Sequence, residues 1–380
     1  MLKMGVIGCG NRITSVIEKI YEVSKGEAVV TCVCDTDIDK VKKVNLKDEK
    51  YSEVRYYSDA REMLDAEKLD GVLIGTRCST HTEYALLVAE YNLPLYLEKP
   101  VCTTYDDLER LKTIPHMEDI TVVSFPLRTS KKLEFVKKLV DSGKIGKIEH
   151  VQAFDNVTYA RGYYHKWYRD ENETGGLFLQ KATHDLDYIN YLLGGMKPVR
   201  LCAMKSKQIF KGDKPAGLKC ADCAEASTCP ESPENVIKAG DNLPKGEYCC
   251  FAVDTGNEDS GTVIIQYESG MHVVYSQNFI VRNGASKRGA RLIGYKGTLE
   301  FDWYSDEIIL YRHDEDKVER YDFANAAGAH FGGDTVLAES FVAVMKGEGK
   351  SCAPLSQGIA SAALCLAAKT SATEYRFVEL

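Results

Sequence analysis

A short apolar run at residues 2–7 leads straight into Gly8-Cys9-Gly10-Asn11-Arg12-Ile13, and an amphipathic segment follows to about residue 23. Strand, Gly-x-Gly and helix in that order constrain this chain more than any other feature. Such a turn opens a parallel βαβ unit, in which Gly8 permits the tight turn and Gly10 lets the backbone approach a pyrophosphate at the helix N-terminus. The third glycine position of the fingerprint holds Ile13. The next apolar run, residues 28–34, ends in Asp35, the distance expected of a ribose-binding acid. A carboxylate there accepts hydrogen bonds from both ribose hydroxyls and repels a 2′-phosphate. No arginine follows directly, so NAD is expected over NADP.

The alternation continues. Residues 70–75 and 93–97 read as strands, as do 121–125, with helical patterns between them. Strands alternating with helices through residue 125 predict a doubly wound parallel sheet, a Rossmann domain spanning residues 1–125. Ligands bind outside the carboxyl ends of such strands. Gly8, Gly10, Asn11, Arg12, Ile13 and Asp35 lie there, with the loop residues Thr76, Arg77 and His81 and the pair Glu98-Lys99. These are the expected cofactor-binding residues.

From residue 147 the pattern changes. Runs at 148–154, 263–267, 272–277, 291–293, 298–301 and 308–311 come in succession with few helices between, as in an antiparallel sheet. A second domain is therefore expected over residues 126–380. Residues 163–169 set Tyr163 and Trp167 beside His165 and Arg169, a composition suited to a sugar platform: ring faces stack on C–H bonds and arginine binds oxygens. Arg128, Asp187 and His330 are further substrate-pocket candidates. After Gly175-Gly176, helical spacing puts Gln180, His184 and Asp187 on one face and Lys181, His184 and Tyr188 on a neighbouring one, and Gly194-Gly195 close the helix.

The thirteen cysteines are an odd number in a chain whose first residues carry no secretory pattern, so a disulfide framework is not expected and a cytoplasmic protein is. An insertion over residues 202–250 gathers Cys220, Cys223, Cys229 and Cys249, a set that suits a structural zinc or, less readily, an iron–sulfur cluster. An all-thiolate site leaves no open position for catalysis. A net charge of -8 argues against nucleic acid and anionic membranes as partners. The longest apolar run, residues 359–368, falls short of the roughly 20 residues a membrane span needs.

Gly8-Cys9-Gly10-Asn11-Arg12, Asp35, Glu98-Lys99-Pro100 and His184-Asp185-Leu186-Asp187 together resemble the family named after glucose-fructose oxidoreductase, inositol dehydrogenase and MocA (Gfo/Idh/MocA). The resemblance covers most of the chain. It implies a Rossmann domain followed by a domain built on a large, open, mostly antiparallel sheet that often mediates homo-oligomers, dimers or tetramers. It also implies a nicotinamide cofactor and a sugar or polyol substrate. Lys99 matches the lysine that contacts the reacting hydroxyl, and His184 the histidine that takes its proton. Many relatives carry aspartate where this chain has Gln180, and Lys181 resembles a residue of one subgroup only. The resulting expectation is an NAD-dependent oxidoreductase acting on a sugar, polyol or glycoside, with Lys99, His184, Lys181 and Gln180 at the chemistry. The alternatives are a redox-neutral glycoside hydrolase or lyase working through a transient keto-sugar, and a non-catalytic NAD-binding regulator.

Overall fold

The computed structural model describes residues 1–239, 246–323 and 329–380; residues 240–245 of the cysteine-rich insertion and Gly328 beside His330 lie outside the described residues. The chain divides into two compact units. One comprises Met1–Glu134, Leu186–Tyr188 and Ala326–Ala363, the other Phe135–Asp185, Ile189–Asn325 and Leu364–Leu380.

Among the described residues, the first unit has six parallel strands: β1 (Leu2–Ile7), β2 (Ala28–Cys34), β3 (Arg55–Tyr57), β4 (Gly71–Ile74), β5 (Leu95–Leu97) and β6 (Thr121–Val123). They lie in the order β3-β2-β1-β4-β5-β6, the doubly wound arrangement. β4 and β5 are buried throughout, because helices cover both faces of such a sheet. The helix Asn11–Val23 turns Ile13, Val16, Ile17 and Ile20 inward, the spacing of one helical face. A later helix, Gly333–Met345, joins this unit and sets Phe341 edge-on against Tyr96 at 5.8 Å.

The second unit holds β7 (Ile148–Asn156), β8 (Pro198–Ser206), β9 (Ser260–Tyr267), β10 (His272–Asn278), β11 (Lys287–Gly294), β12 (Gly297–Asp302), β13 (Glu307–Arg312), β14 (Lys317–Asp322) and β15 (Val378–Glu379). Their order is β14-β13-β12-β11-β7-β10-β9-β8-β15. β7 and β10 run parallel, and the other pairings are antiparallel. Burial alternates residue by residue along β9 and β10, so one face of the sheet is packed and the other is open. Among the described residues no helix is long and apolar enough to cross a membrane.

Candidate functional site

The Gly-x-Gly turn is built as its residues demand. Gly8 adopts φ +78°, and a Cβ there would lie 2.6 Å from the Thr76 backbone nitrogen, so only glycine fits. A Cβ on Gly10 would meet nothing within 4 Å, which leaves open space before the helix. Gly10 caps that helix without a side-chain hydrogen bond, so its first-turn amides are not capped from within. Ile13 in place of the third glycine finds its answer across the sheet. A Cβ on Gly75 would come within 1.8 Å of Ile13 Cγ1, so the glycine needed for close helix–strand packing sits at the end of β4 instead. This compensation was not read from the sequence, although Gly75 closing an apolar strand was its visible sign.

Asp35 follows β2 and accepts hydrogen bonds from the Cys9 amide at 2.7 Å and the Asp37 amide at 2.8 Å. Each carboxylate oxygen keeps acceptor capacity for a ribose hydroxyl. Asn11, at the first turn of the helix, accepts from Asn45 at 3.2 Å. Thr76 accepts from the Thr80 hydroxyl at 2.8 Å, and Arg77 is exposed. His81 is buried, and its Nδ1 donates to the Pro100 carbonyl at 2.7 Å. Burial lowers its pKa, so the ring is a neutral prop under the Glu98-Lys99-Pro100 turn.

Arg12, expected to face the cofactor, is heavily engaged inside this unit. Its Nε donates to Glu98 at 2.9 Å and its terminal nitrogen to Ser124 at 3.0 Å and Asp334 at 2.6 Å. Ser124 in turn donates to Glu98 at 2.9 Å. The buried Glu98 carboxylate is thereby fixed, one residue before the half-buried Lys99. His330 Nδ1 donates to the other Asp334 oxygen at 2.9 Å, from a backbone at φ +58°. Burial alone would raise the Asp334 pKa, but hydrogen bonds from His330 and Arg12 hold it well below the usual carboxylate range. Arg128 and Asp187, both expected to touch substrate, instead grip each other through two hydrogen bonds, one of them 2.9 Å, both side chains being buried.

In the second unit the segment predicted as one regular helix is not regular. Phe178–Ala182 forms a π turn and Thr183–Leu192 continues as α-helix. A π turn takes more residues per revolution, so the faces drawn at strict helical spacing across Gln180, Lys181 and His184 are re-phased. Gln180, Lys181 and His184 are all buried. Lys181 forms an ion pair with Asp155 at 3.4 Å and hydrogen-bonds the hydroxyl of Tyr159, a residue the sequence reading missed.

The expected sugar platform separates into two parts. His165 and Arg169 are buried struts: His165 Nδ1 donates to the Tyr248 carbonyl at 2.7 Å, and Arg169 pairs with Asp254 and donates to Thr255 at 2.9 Å. His165 therefore anchors the far end of the insertion, and Arg169 the residues just after it. Tyr163 and Trp167 stay half-buried, within a series of rings in which Tyr163 meets Tyr159 at 6.5 Å and Tyr168 at 5.6 Å, and Trp167 stacks on Tyr168 at 4.0 Å.

The expected metal at Cys220, Cys223, Cys229 and Cys249 finds no support. Among the described residues no group of three or more His, Cys, Asp or Glu is placed to hold a metal ion. All four are free thiols. Burial pushes the Cys220 thiol up to about 11, with its neighbouring cysteines acting the same way.

Known proteins share this architecture. The family model for the oxidoreductase family's NAD-binding Rossmann fold matches residues 2–125, and that for its C-terminal alpha/beta domain matches residues 137–380. YteT of Bacillus subtilis (strain 168), named an oxidoreductase, is 26% identical over 318 residues, 73% of each chain. The myo-inositol 2-dehydrogenase of Thermotoga maritima is 24% identical over 196 residues, and the match spans 51% of this chain and 55% of that protein. A levoglucosan dehydrogenase solved in complex with NADH has the same fold, with a TM-score of 0.78 at 16% identity over 100% of this chain and 98% of the other.

Proposed function

Because this chain belongs to the Gfo/Idh/MocA oxidoreductase family, we propose that it moves a hydride between NAD and one carbon of a sugar, polyol or glycoside. The observation that carries the reading is the Gly8–Gly10 turn, closed by Thr76 behind and open in front, with the Asp35 carboxylate tied to its Cys9 amide. A pyrophosphate fits the open side and a ribose fits Asp35. The named polyol and sugar dehydrogenases among its relatives point the substrate the same way.

The nicotinamide supplies a hydride acceptor when bound. This chain's own residues do the rest. Gly8, Gly10, Asn11 and Ile13 shape the phosphate seat, Asp35 binds the ribose and selects NAD over NADP, and Thr76, Arg77 and His81 form the loop beside it. Lys99, next in sequence to the Glu98 that Arg12 grips, donates to the reacting oxygen and stabilises negative charge as it develops there. His184 takes the hydroxyl proton, a role for a neutral imidazole near pH 7. Gln180 cannot ionise, so it orients by hydrogen bonding alone.

A second reading, a redox-neutral cleavage of glycosides through a transient keto-sugar, is favoured by Lys181, a buried amine paired with Asp155 that a plain dehydrogenase does not need. One assay separates the two: nitrophenyl glycosides and free sugars, with NAD or NADP, recording NADH and nitrophenol together. Net NADH without nitrophenol supports the dehydrogenase; NAD-dependent nitrophenol without net NADH supports cleavage. His184→Ala is expected to keep NAD affinity and lose about 10²–10⁴-fold in turnover. Unchanged turnover would remove His184 from the chemistry, and a preference for NADP would overturn the role given to Asp35.

A further inference from the structure

A row of buried charges in the second unit leads to a single hydroxyl. Asp155 on β7 stands opposite Arg288 on β11 in the strand register, and the Arg288 Nε lies 3.4 Å from its carboxylate. Arg288 also donates two hydrogen bonds, of 2.9 and 2.8 Å, to Asp185 on the helix Thr183–Leu192, and Tyr275 donates to the same carboxylate at 3.1 Å. The same Asp155 oxygen, Oδ2, is also paired with the Lys181 ammonium at 3.4 Å. Two cations and two carboxylates sum to zero charge. All four residues and Tyr275 are nearly inaccessible, at 3% or less. Apolar side chains of the same volume would stabilise a core as well or better, so such a network is weak evidence for stability and better evidence for positioning.

What it positions is Tyr159, which lies in the turn that follows β7 and is 37% exposed. The Lys181 ammonium has only protons to give, so in the Lys181–Tyr159 hydrogen bond the phenol oxygen accepts. The phenol's own proton must then point elsewhere, and none of the described residues accepts it. Desolvation and the Asp155 carboxylate keep this phenol above the ordinary tyrosine pKa, so it remains a donor at neutral pH. Its ring begins the aromatic series that continues through Tyr163 and Tyr168 to Trp167. The π turn that carries Lys181 lies immediately before the segment bearing His184, and π turns concentrate at functional sites.

We propose that Tyr159 is a specificity-determining residue: it donates a hydrogen bond to a substrate hydroxyl other than the reacting one, and Lys181 and Asp155 fix its direction. The hydroxyl it engages decides which carbon of the polyol or sugar is offered for oxidation. This inference rests on the sugar or polyol reading above and deepens it. Tyr159→Phe removes the donor and keeps the ring, and an unchanged melting temperature would show that the fold survives.

The test measures binding of myo-inositol, glucose, galactose and their methyl ethers or glycosides to the NADH-loaded protein by calorimetry, alongside initial rates with NAD. For the tightest ligand, Tyr159→Phe is expected to weaken binding and raise KM by about 10-fold with kcat changed less than about 3-fold, the worth of one hydrogen bond. Of the monodeoxy derivatives of that ligand, one is expected to bind wild type and variant equally, because it lacks the partner hydroxyl. An equal loss across every deoxy derivative, or no loss with the parent, overturns the proposal. Polyol binding that discriminates as described, without net NADH formation, leaves the proposal standing and overturns the dehydrogenase reading. No polyol binding at all overturns both.

Discussion

Arg12 donates to Glu98, Ser124 and Asp334, and each partner comes from a different part of the first unit's sequence. Asp334 is the joint in this network that titrates most informatively. Its folded pKa lies below the ordinary value of about 3.9 because His330 and Arg12 both donate to the carboxylate. Its contribution to stability is therefore whole above about pH 4 and is lost as pH falls below that. Asp334→Asn is expected to cost on the order of 2 kcal/mol at pH 7 in urea unfolding, with the gap to wild type narrowing below pH 4. A gap that does not narrow in acid would mean that Asp334 acts through packing and not through charge. His330 and Arg12 were both legible as candidate residues, since each stands beside a glycine-rich turn. Their joint partner was not, because 322 residues separate Arg12 from Asp334.

At the scale of elements, the segment from Gly175 to Leu192 shows where periodicity stops being informative. Both leading glycines have positive φ and both closing glycines do too, as their sequence positions implied. The π turn between them leaves no mark in composition. It is set by the packing of five buried residues, Phe178 to Ala182. The Arg128–Asp187 pair belongs to the same scale. Asp187 is carried on the helix Thr183–Leu192, and its carboxylate is gripped by Arg128 from outside that helix. Arg128→Met removes the guanidinium from the buried Asp187 carboxylate, so a loss of about 3–5 kcal/mol in thermal or chemical unfolding is expected. The paired change to Met and Leu is expected to restore most of it. Failure of the double variant to recover would show that the pair's hydrogen-bonding geometry, not its charge balance, is what the fold needs. Edge strands were the other blind spot. β14 reads Lys-Val-Glu-Arg-Tyr-Asp, whose charges suit an edge but resemble a surface loop.

For the whole molecule, the open face of the nine-stranded sheet carries Met204, 74% exposed, and Ile264, 43% exposed, near Arg200, His272 and Phe377, which line a shallow cavity of about 210 Å³ with Ile264. A broad sheet face with apolar side chains is a surface for self-association. Sedimentation is expected to show a dimer or tetramer, and Ile264→Glu to shift it towards monomer without lowering the melting temperature of the dilute protein. A wild-type monomer at micromolar concentration would rule this out. Apart from the strands at residues 55–57, 198–206, 317–322 and 378–379, the sequence alone indicated the alternation of strands and helices through residue 125, the mostly antiparallel sheet after it and the Gly8–Asp35 dinucleotide pattern. All of these rest on local periodicity and short-range turn chemistry. Tertiary structure decided which charges found partners. It tied Arg12 to Asp334 and Arg128 to Asp187, led Asp155 through Lys181 to Tyr159, moved the packing glycine to Gly75, and made His165 and Arg169 into struts. A buried charge must be neutralised by whatever side chain the fold brings within about 3 Å, and that neighbour is set by the three-dimensional path of the chain, not by spacing along it.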